Sequence, residues 1–293
     1  MKLIVIMLFC VSTSLRAETV SQVLDLQVAL MHKKMGSGTS LAMAKNGLKN
    51  DVRNESFAIQ AIARLFQKEN RVFNDLKTFI KSFEDQVGKI ERWVSLQAQP
   101  GLSEAQKSEL RKNMQQELKN FSVYLETSSF YRNLDGYRSA VAALRISEAD
   151  TRRIVVKGIK SELKEVLTRR YDFTHGEEGL HELRRNLRWP LMEFDAFKAS
   201  FSTTKTSCRS SVFYTYGVKS HYTTLTTNPT APYNIDYCSY VELSGAVIVM
   251  GEIKDDLERR GIMEHKLPSE IVRMSSKIYD DLRRDILPLL IKF

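Results

Sequence analysis

Residues 71–97 read RVFNDLKTFIKSFEDQVGKIERWVSLQ, and within them Phe73, Leu76, Ile80, Phe83, Val87, Ile90 and Val94 recur in alternating steps of three and four. A seam with that spacing stays on one face of an α-helix, so the segment is predicted to be a helix that packs in a bundle or pairs in a coiled coil. From Asn54 to Gln97 there is no proline and only one glycine, Gly88, so nothing in the composition breaks the helical pattern.

Working outward, Pro100 and Gly101 end this helix, and Ser103 with Gln106 forms a capping box that starts another, running to about Thr127. A shorter helix is predicted over Tyr131 to Arg145. Ser147 with Asp150 repeats the start signal for a helix reaching about Arg170. Two more follow near Tyr240 to Arg260 and Ser269 to Ile291, the last kinked or frayed by Pro288. With six prolines and thirteen glycines falling mostly between such stretches, the pattern is all-α. One segment departs from it. Ser202 to Asp236 is rich in Ser, Thr and Tyr, and its β-prone runs Val212 to Tyr216 and Tyr222 to Thr227 suggest a hairpin turning through Gly217 to His221.

The chain opens with Met-Lys, an apolar run from Leu3 to Val11, and a small residue at Ala17, the layout of a secretory signal peptide over residues 1–17. Its apolar core is too short to span a bilayer, and no other stretch approaches the length of a transmembrane helix. Cleavage would leave 276 of the 293 residues and, with Lys2 and Arg16 gone, lower the formal charge from +9 to +7. That surplus permits a polyanionic partner without requiring one. Cys10 would leave with the leader. Cys208 and Cys238 then remain as an even pair in an exported, periplasmic or secreted protein, and a disulfide is predicted between them. It would close a loop of about 31 residues and contribute roughly 3 to 4 kcal/mol. The bond would staple the 202–238 insertion to the helical body.

Chemistry concentrates in Leu180 to Phe194. At 100° per residue, His181, Arg184, Arg185 and Arg188 fall within an arc of about 100°, while Leu180, Leu183, Leu187, Leu191 and Phe194 fall opposite. Guanidinium forks suit phosphate and carboxylate groups, and several within one turn suit a multiply charged anion. The alternative is a face solvated or paired with Glu177, Glu178 or Glu182. The preceding helix offers a second basic stripe in Arg153, Lys157, Lys160 and Lys164, opposite Val155, Val156, Ile159, Leu163 and Val166.

The run L-H-E-L-R-R-N-L-R-W-P-L over Leu180 to Leu191 resembles the conserved histidine α-helical domain (CHAD) family, in which a helix opens with histidine, leucine and arginine. His181, Leu183, Arg184 and Arg188 match. Trp189 and Met192 stand where the family keeps further basic residues. Gly251 and Asp255 match a second family feature, glycine and then aspartate four residues on, and Arg71 to Leu76, with Asp75, is a degenerate counterpart in the first half. The resemblance covers mainly residues 147–290. It implies a CHAD-like pair of helical halves, 18–146 and 147–293, with a basic groove that binds polyphosphate or another polyanion without catalysis. His181, Arg184 and Arg188 would line that groove, with Lys157, Lys160 and Lys164 as neighbours.

Signals for catalysis are thin by comparison. His175 and His181 lie six apart, there is no His-Glu-x-x-His zinc pattern, and Gly36-Ser37-Gly38 lacks the lysine of a phosphate loop. His32, His221 and His265 stand apart from any nucleophile. The sequence therefore predicts a binding protein without cofactor or metal rather than an enzyme; an envelope protein that contacts other proteins through its helical surfaces is the alternative.

Overall fold

The computed structural model describes residues 19–204, 207–263 and 265–293, and the expected leader lies outside the described residues. The chain is all-α, with one two-stranded sheet among the described residues. Helices α1 (Val20–Met35), α2 (Ser40–Lys49) and α3 (Arg53–Phe66) lead into the long α4 (Arg71–Gln97). In α4, six members of the seam from Phe73 to Ile90 are at most 1% exposed, whereas Val94 is 50% exposed. The seam therefore packs within the chain, chiefly against α3 and α5 (Glu104–Thr127), and leaves the core after Ile90. The predicted capping box starts α5: the Gln106 amide donates to Ser103 Oγ at 3.2 Å and the Ser103 amide to Gln106 Oε1 at 2.9 Å. From 91 to 120 no side chain is buried, and the half-buried Met114 and Leu118 tie this helical arm to the core.

The second half begins with α6 (Phe130–Ala143) and α7 (Glu148–Thr168), the latter capped by Ser147 as predicted. A π-helical turn, Gly176–His181, then feeds α8 (Glu182–Ala196). A Cβ at Gly179 would stand 2.3 Å from the Asp172 carbonyl oxygen, so only glycine lets this turn close on the preceding chain. One buried apolar cluster runs through both halves, from Val20 to Leu290.

The insertion differs from its expected hairpin. Val212–Gly217 is a short helix, α9, and 222–227 is irregular; the sheet instead pairs β1 (Phe201–Thr204) with β2 (Tyr233–Asp236) in parallel. The cause is a close crossing of α9 with α10 (Tyr237–Arg259). A Cβ on Gly217 would lie 1.9 Å from Val241 O, and one on Gly245 would lie 1.8 Å from Phe213 O. Backbone contact through two glycines outweighs the β-propensity of the aromatic run. A disulfide joins Cys208 to Cys238 beside this crossing, with Cα atoms 5.4 Å apart. Replacing both cysteines with serine should lower stability by about 3 to 4 kcal/mol in urea unfolding, and a non-reduced peptide map of the native chain should show the two peptides linked.

The chain closes with α11 (Ser269–Asp281), a π-helical turn over Leu282–Ile286, and α12 (Leu287–Leu290), so the predicted break at Pro288 is present. Among the described residues no helix is long and apolar enough to cross a membrane.

Candidate functional site

The residues expected on one basic face separate into paired and unpaired groups. Arg185 is exposed and ion-pairs with Glu182, which also holds Arg169 at 3.1 Å. His181 Nδ1 lies 3.7 Å from Glu177 Oε2. Burial pushes the His181 imidazole below its ordinary pKa; Glu177 opposes this, while Lys254, Arg184 and Arg185 reinforce it. The face is therefore less charged than the sequence suggests.

Arg184 and Arg188 differ from these, since neither has a carboxylate partner within ion-pair distance among the described residues. Arg184 reaches across to α10, where its Nε donates to the Val247 carbonyl at 3.2 Å. It passes so close to α10 that a Cβ on Gly251 would meet guanidinium atoms at 3.0 to 3.3 Å. Gly251, singled out in the sequence as half of a glycine and aspartate pattern, thus makes room for an arginine. The Asp255 carboxylate is 71% exposed and lies 3.8 Å from Lys254 Nζ.

Arg188 sits 4.5 Å from the centre of the Phe57 ring and 5.7 Å from that of Trp189. Arg53 lies on Phe57 at 5.1 Å and Arg64 on Trp189 at 4.5 Å. The five side chains form a ladder, Arg53, Phe57, Arg188, Trp189, Arg64, between α3 and α8. Each cation on an aromatic face contributes about 0.5 to 2 kcal/mol. The outer arginines are neutralised: Arg53 Nε donates to Glu84 at 2.9 Å and its Nη1 to Glu91 at 2.5 Å, and Arg64 Nη2 donates to Glu162 at 3.0 Å. The middle one is not, and its Nε is buried without a hydrogen-bond partner. Burial, the largest cause, pulls the Arg188 pKa down; Arg184 and Arg53 act in the same direction, against Tyr222 and Glu84. Tyr222 belongs to the stapled insertion, as does His221, whose ring lies tilted against it with centroids 4.0 Å apart. The insertion thereby contributes to the site.

Gly88 on α4 repeats the Gly251 arrangement, with a Cβ there falling 3.0 Å from Arg53 Nη2. Arg53 also lines a cleft of about 400 Å³ between α4 and α10, together with Arg92, Lys254 and Arg259 and the acids Glu91, Asp255 and Glu258. The counterpart expected at Arg71 to Leu76 lies elsewhere: Arg71 is 90% exposed and pairs with Asp75 at 3.5 Å.

The α7 lysines do not join the arginines. Lys157, Lys160 and Lys164 line a shallow trough of about 530 Å³ with Arg153 and Tyr233, and Lys160 Nζ lies 4.9 Å over the Phe293 ring. The helix presents its apolar face to α8, so its basic stripe is turned to another side. The acids of α7 are engaged with arginines: Glu148 with Arg152, Asp150 with Arg153, Glu162 with Arg64 and Glu165 with Arg169.

Sequence reasoning missed Arg53, Phe57, Arg64, Trp189 and Tyr222 as neighbours of Arg188. The usable signal was the pair of glycines, Gly88 and Gly251, inside long helices, where glycine is unfavourable unless something must pass close by. Among the described residues no group of three or more His, Cys, Asp or Glu side chains could hold a metal ion. Comparison with protein-family models, with curated proteins and with solved structures yields no match to this chain.

Proposed function

We propose that this chain is an exported anion-binding protein, not an enzyme, whose ligand is polyphosphate or a comparable polyanion held by Arg184 and Arg188. The observation that carries the reading is Arg188, a half-buried guanidinium flanked by rings with its Nε buried and unpartnered, with Arg184 as its neighbour and, among the described residues, no carboxylate within ion-pair distance of either. Leaving a buried charge uncompensated is unfavourable by several kcal/mol. A phosphoryl group between the two arginines supplies the missing charge and enough acceptor oxygens for both forks. His181, whose ring nitrogen Nδ1 is buried without a hydrogen-bond partner, adds a polar contact beside them. The trough of Lys157, Lys160 and Lys164 offers a second, more diffuse set of contacts to a long chain. The likeness of Leu180 to Leu191 to the CHAD helix supports the same ligand class, and the bonded cysteine pair supports export.

Titrating the purified protein with tripolyphosphate and with long-chain polyphosphate tests this. Affinity should be highest at low salt, with log K falling linearly against log salt as counterions are released. No binding of either anion at low salt would sink the assignment. A second reading, contact with another protein, is favoured by the arm over residues 91–120, which buries no side chain and leaves Val94 50% exposed. On that reading Val94→Glu abolishes the association with its partner and leaves polyphosphate titration unchanged.

A further inference from the structure

Glu193 lies on α8, five residues beyond Arg188, and is 0% exposed. Neither of its carboxyl oxygens accepts a hydrogen bond from an N–H or hydroxyl group. The charged groups that act on it come from two elements, Glu162 on α7 and Arg64 on α3, and Glu165 acts in turn on Glu162. Arg64 is already committed to Glu162 through Nη2, and its Nε is buried and unpaired. With both carboxyls ionised, two negative charges would share one half-buried guanidinium, one of them on Glu193, which water does not reach. Such an arrangement is strongly unfavourable.

A single proton resolves it. Glu193 lies one turn beyond Trp189 on α8, beside the Arg64 that covers that ring and pairs with Glu162 at 3.0 Å; placed on Glu193 and donated to Glu162, the proton satisfies Glu193 and leaves Glu162 as the one anion opposite Arg64. Burial first, and repulsion from Glu162 second, hold the Glu193 carboxyl well above the ordinary carboxylate range, with Arg64 opposing. Arg64 also lies over Trp189, the ring that bears Arg188 on the ladder. Loss of the proton would draw Arg64 toward a second carboxylate and off that ring.

We propose that Glu162 and Glu193 share one proton, that this proton fixes α8 against α3 and α7, and that anion binding at Arg188 is thereby proton-linked. The second half of the proposal rests on the anion-binding reading; the first stands without it. Because the folded chain holds a proton that the unfolded chain releases, the contribution to stability is full below the ordinary glutamate pKa. It is lost as pH rises through the raised value, the folding constant falling by up to about tenfold per pH unit between the two.

The test compares the full chain with Glu193→Gln, which keeps the shape and removes the titration. Urea unfolding from about pH 5 to about pH 9 should show the wild-type midpoint falling and the variant's nearly flat by comparison. Equal slopes would overturn the shared proton. Tripolyphosphate affinity, measured in both proteins so that the ligand's own ionisation cancels, should fall in the wild type relative to Glu193→Gln as pH rises through the raised value, where the folded chain itself loses the proton. Parallel affinity profiles would overturn the linkage while leaving the proton in place. Absence of tripolyphosphate binding at every pH would overturn the linkage and the anion reading together, and the unfolding comparison would still decide the proton. If Glu193→Gln does not fold, infrared spectroscopy of the wild type decides the proton: a protonated-carboxyl C=O stretch that persists at neutral pH supports it, and its absence overturns it.

Discussion

Arg188→Met should make the free protein more stable and at the same time unable to hold a polyanion. The variant removes a half-buried charge with no ion-pair partner among the described residues and leaves an unbranched apolar chain of similar reach between Phe57 and Trp189. Replacing uncompensated buried ions with apolar side chains is often stabilising, here by about 1 to 2 kcal/mol, even after the ring contacts of the guanidinium are lost. Adding Arg184→Ala should lower tripolyphosphate affinity by on the order of 100-fold or more, since each charge-assisted hydrogen bond is worth about 1.5 to 3 kcal/mol. The two readouts together are diagnostic. A less stable variant that binds normally would mean that Arg188 is a structural rung and that the ligand sits elsewhere.

Gly245→Ala should be among the most damaging single substitutions in the chain. The added methyl would start 1.8 Å from the Phe213 carbonyl oxygen and also press on the Gly217 amide at 2.8 Å. Both obstacles are backbone, so no rotamer change relieves them, and α9 must move off α10 or the two helices must part. About 3 to 5 kcal/mol of destabilisation is expected, visible as a drop of roughly 10 °C or more in melting temperature. Gly136→Ala on α6 is the matched control, because nothing lies within 4 Å of its Cβ position. Relief of glycine's entropic penalty should stabilise that helix by about 0.5 to 1 kcal/mol. Equal effects at the two sites would mean that the α9 and α10 crossing is not a tight contact in solution.

What the sequence revealed and what it concealed divide along the range of the interactions. The seam of α4, the caps at Ser103 and Ser147, and the break at Pro288 depend on neighbours within a turn or two, and each was legible. The cysteine pair was legible by counting. The helix at Val212–Gly217 was not, because its β-branched and aromatic residues favour strand and only the distant Gly245 decides otherwise. The ladder through Arg188 joins side chains some 130 positions apart, so Trp189 read only as a departure from a basic pattern. Glu193 was concealed most fully: set among Leu191, Met192 and Phe194, its chemistry comes from Glu162 and Arg64 across two helix interfaces. The divided basic surface has the same origin, since a helical wheel assigns faces but not the neighbours that cover them.

The arm built from the end of α4 and the start of α5 divides the chain into two tiers of cooperativity. Having no buried side chain from 91 to 120 and resting on the core through the half-buried Met114 and Leu118, it can open at the cost of a few peripheral contacts, and local opening of such segments requires little of the global unfolding free energy. Its amides should therefore exchange with deuterium long before those of Phe73 to Ile90 on the same helix. The boundary at Ile90 would appear as a step in protection within one continuous rod, and proteases acting on the native chain should cut first in the turn near Pro100.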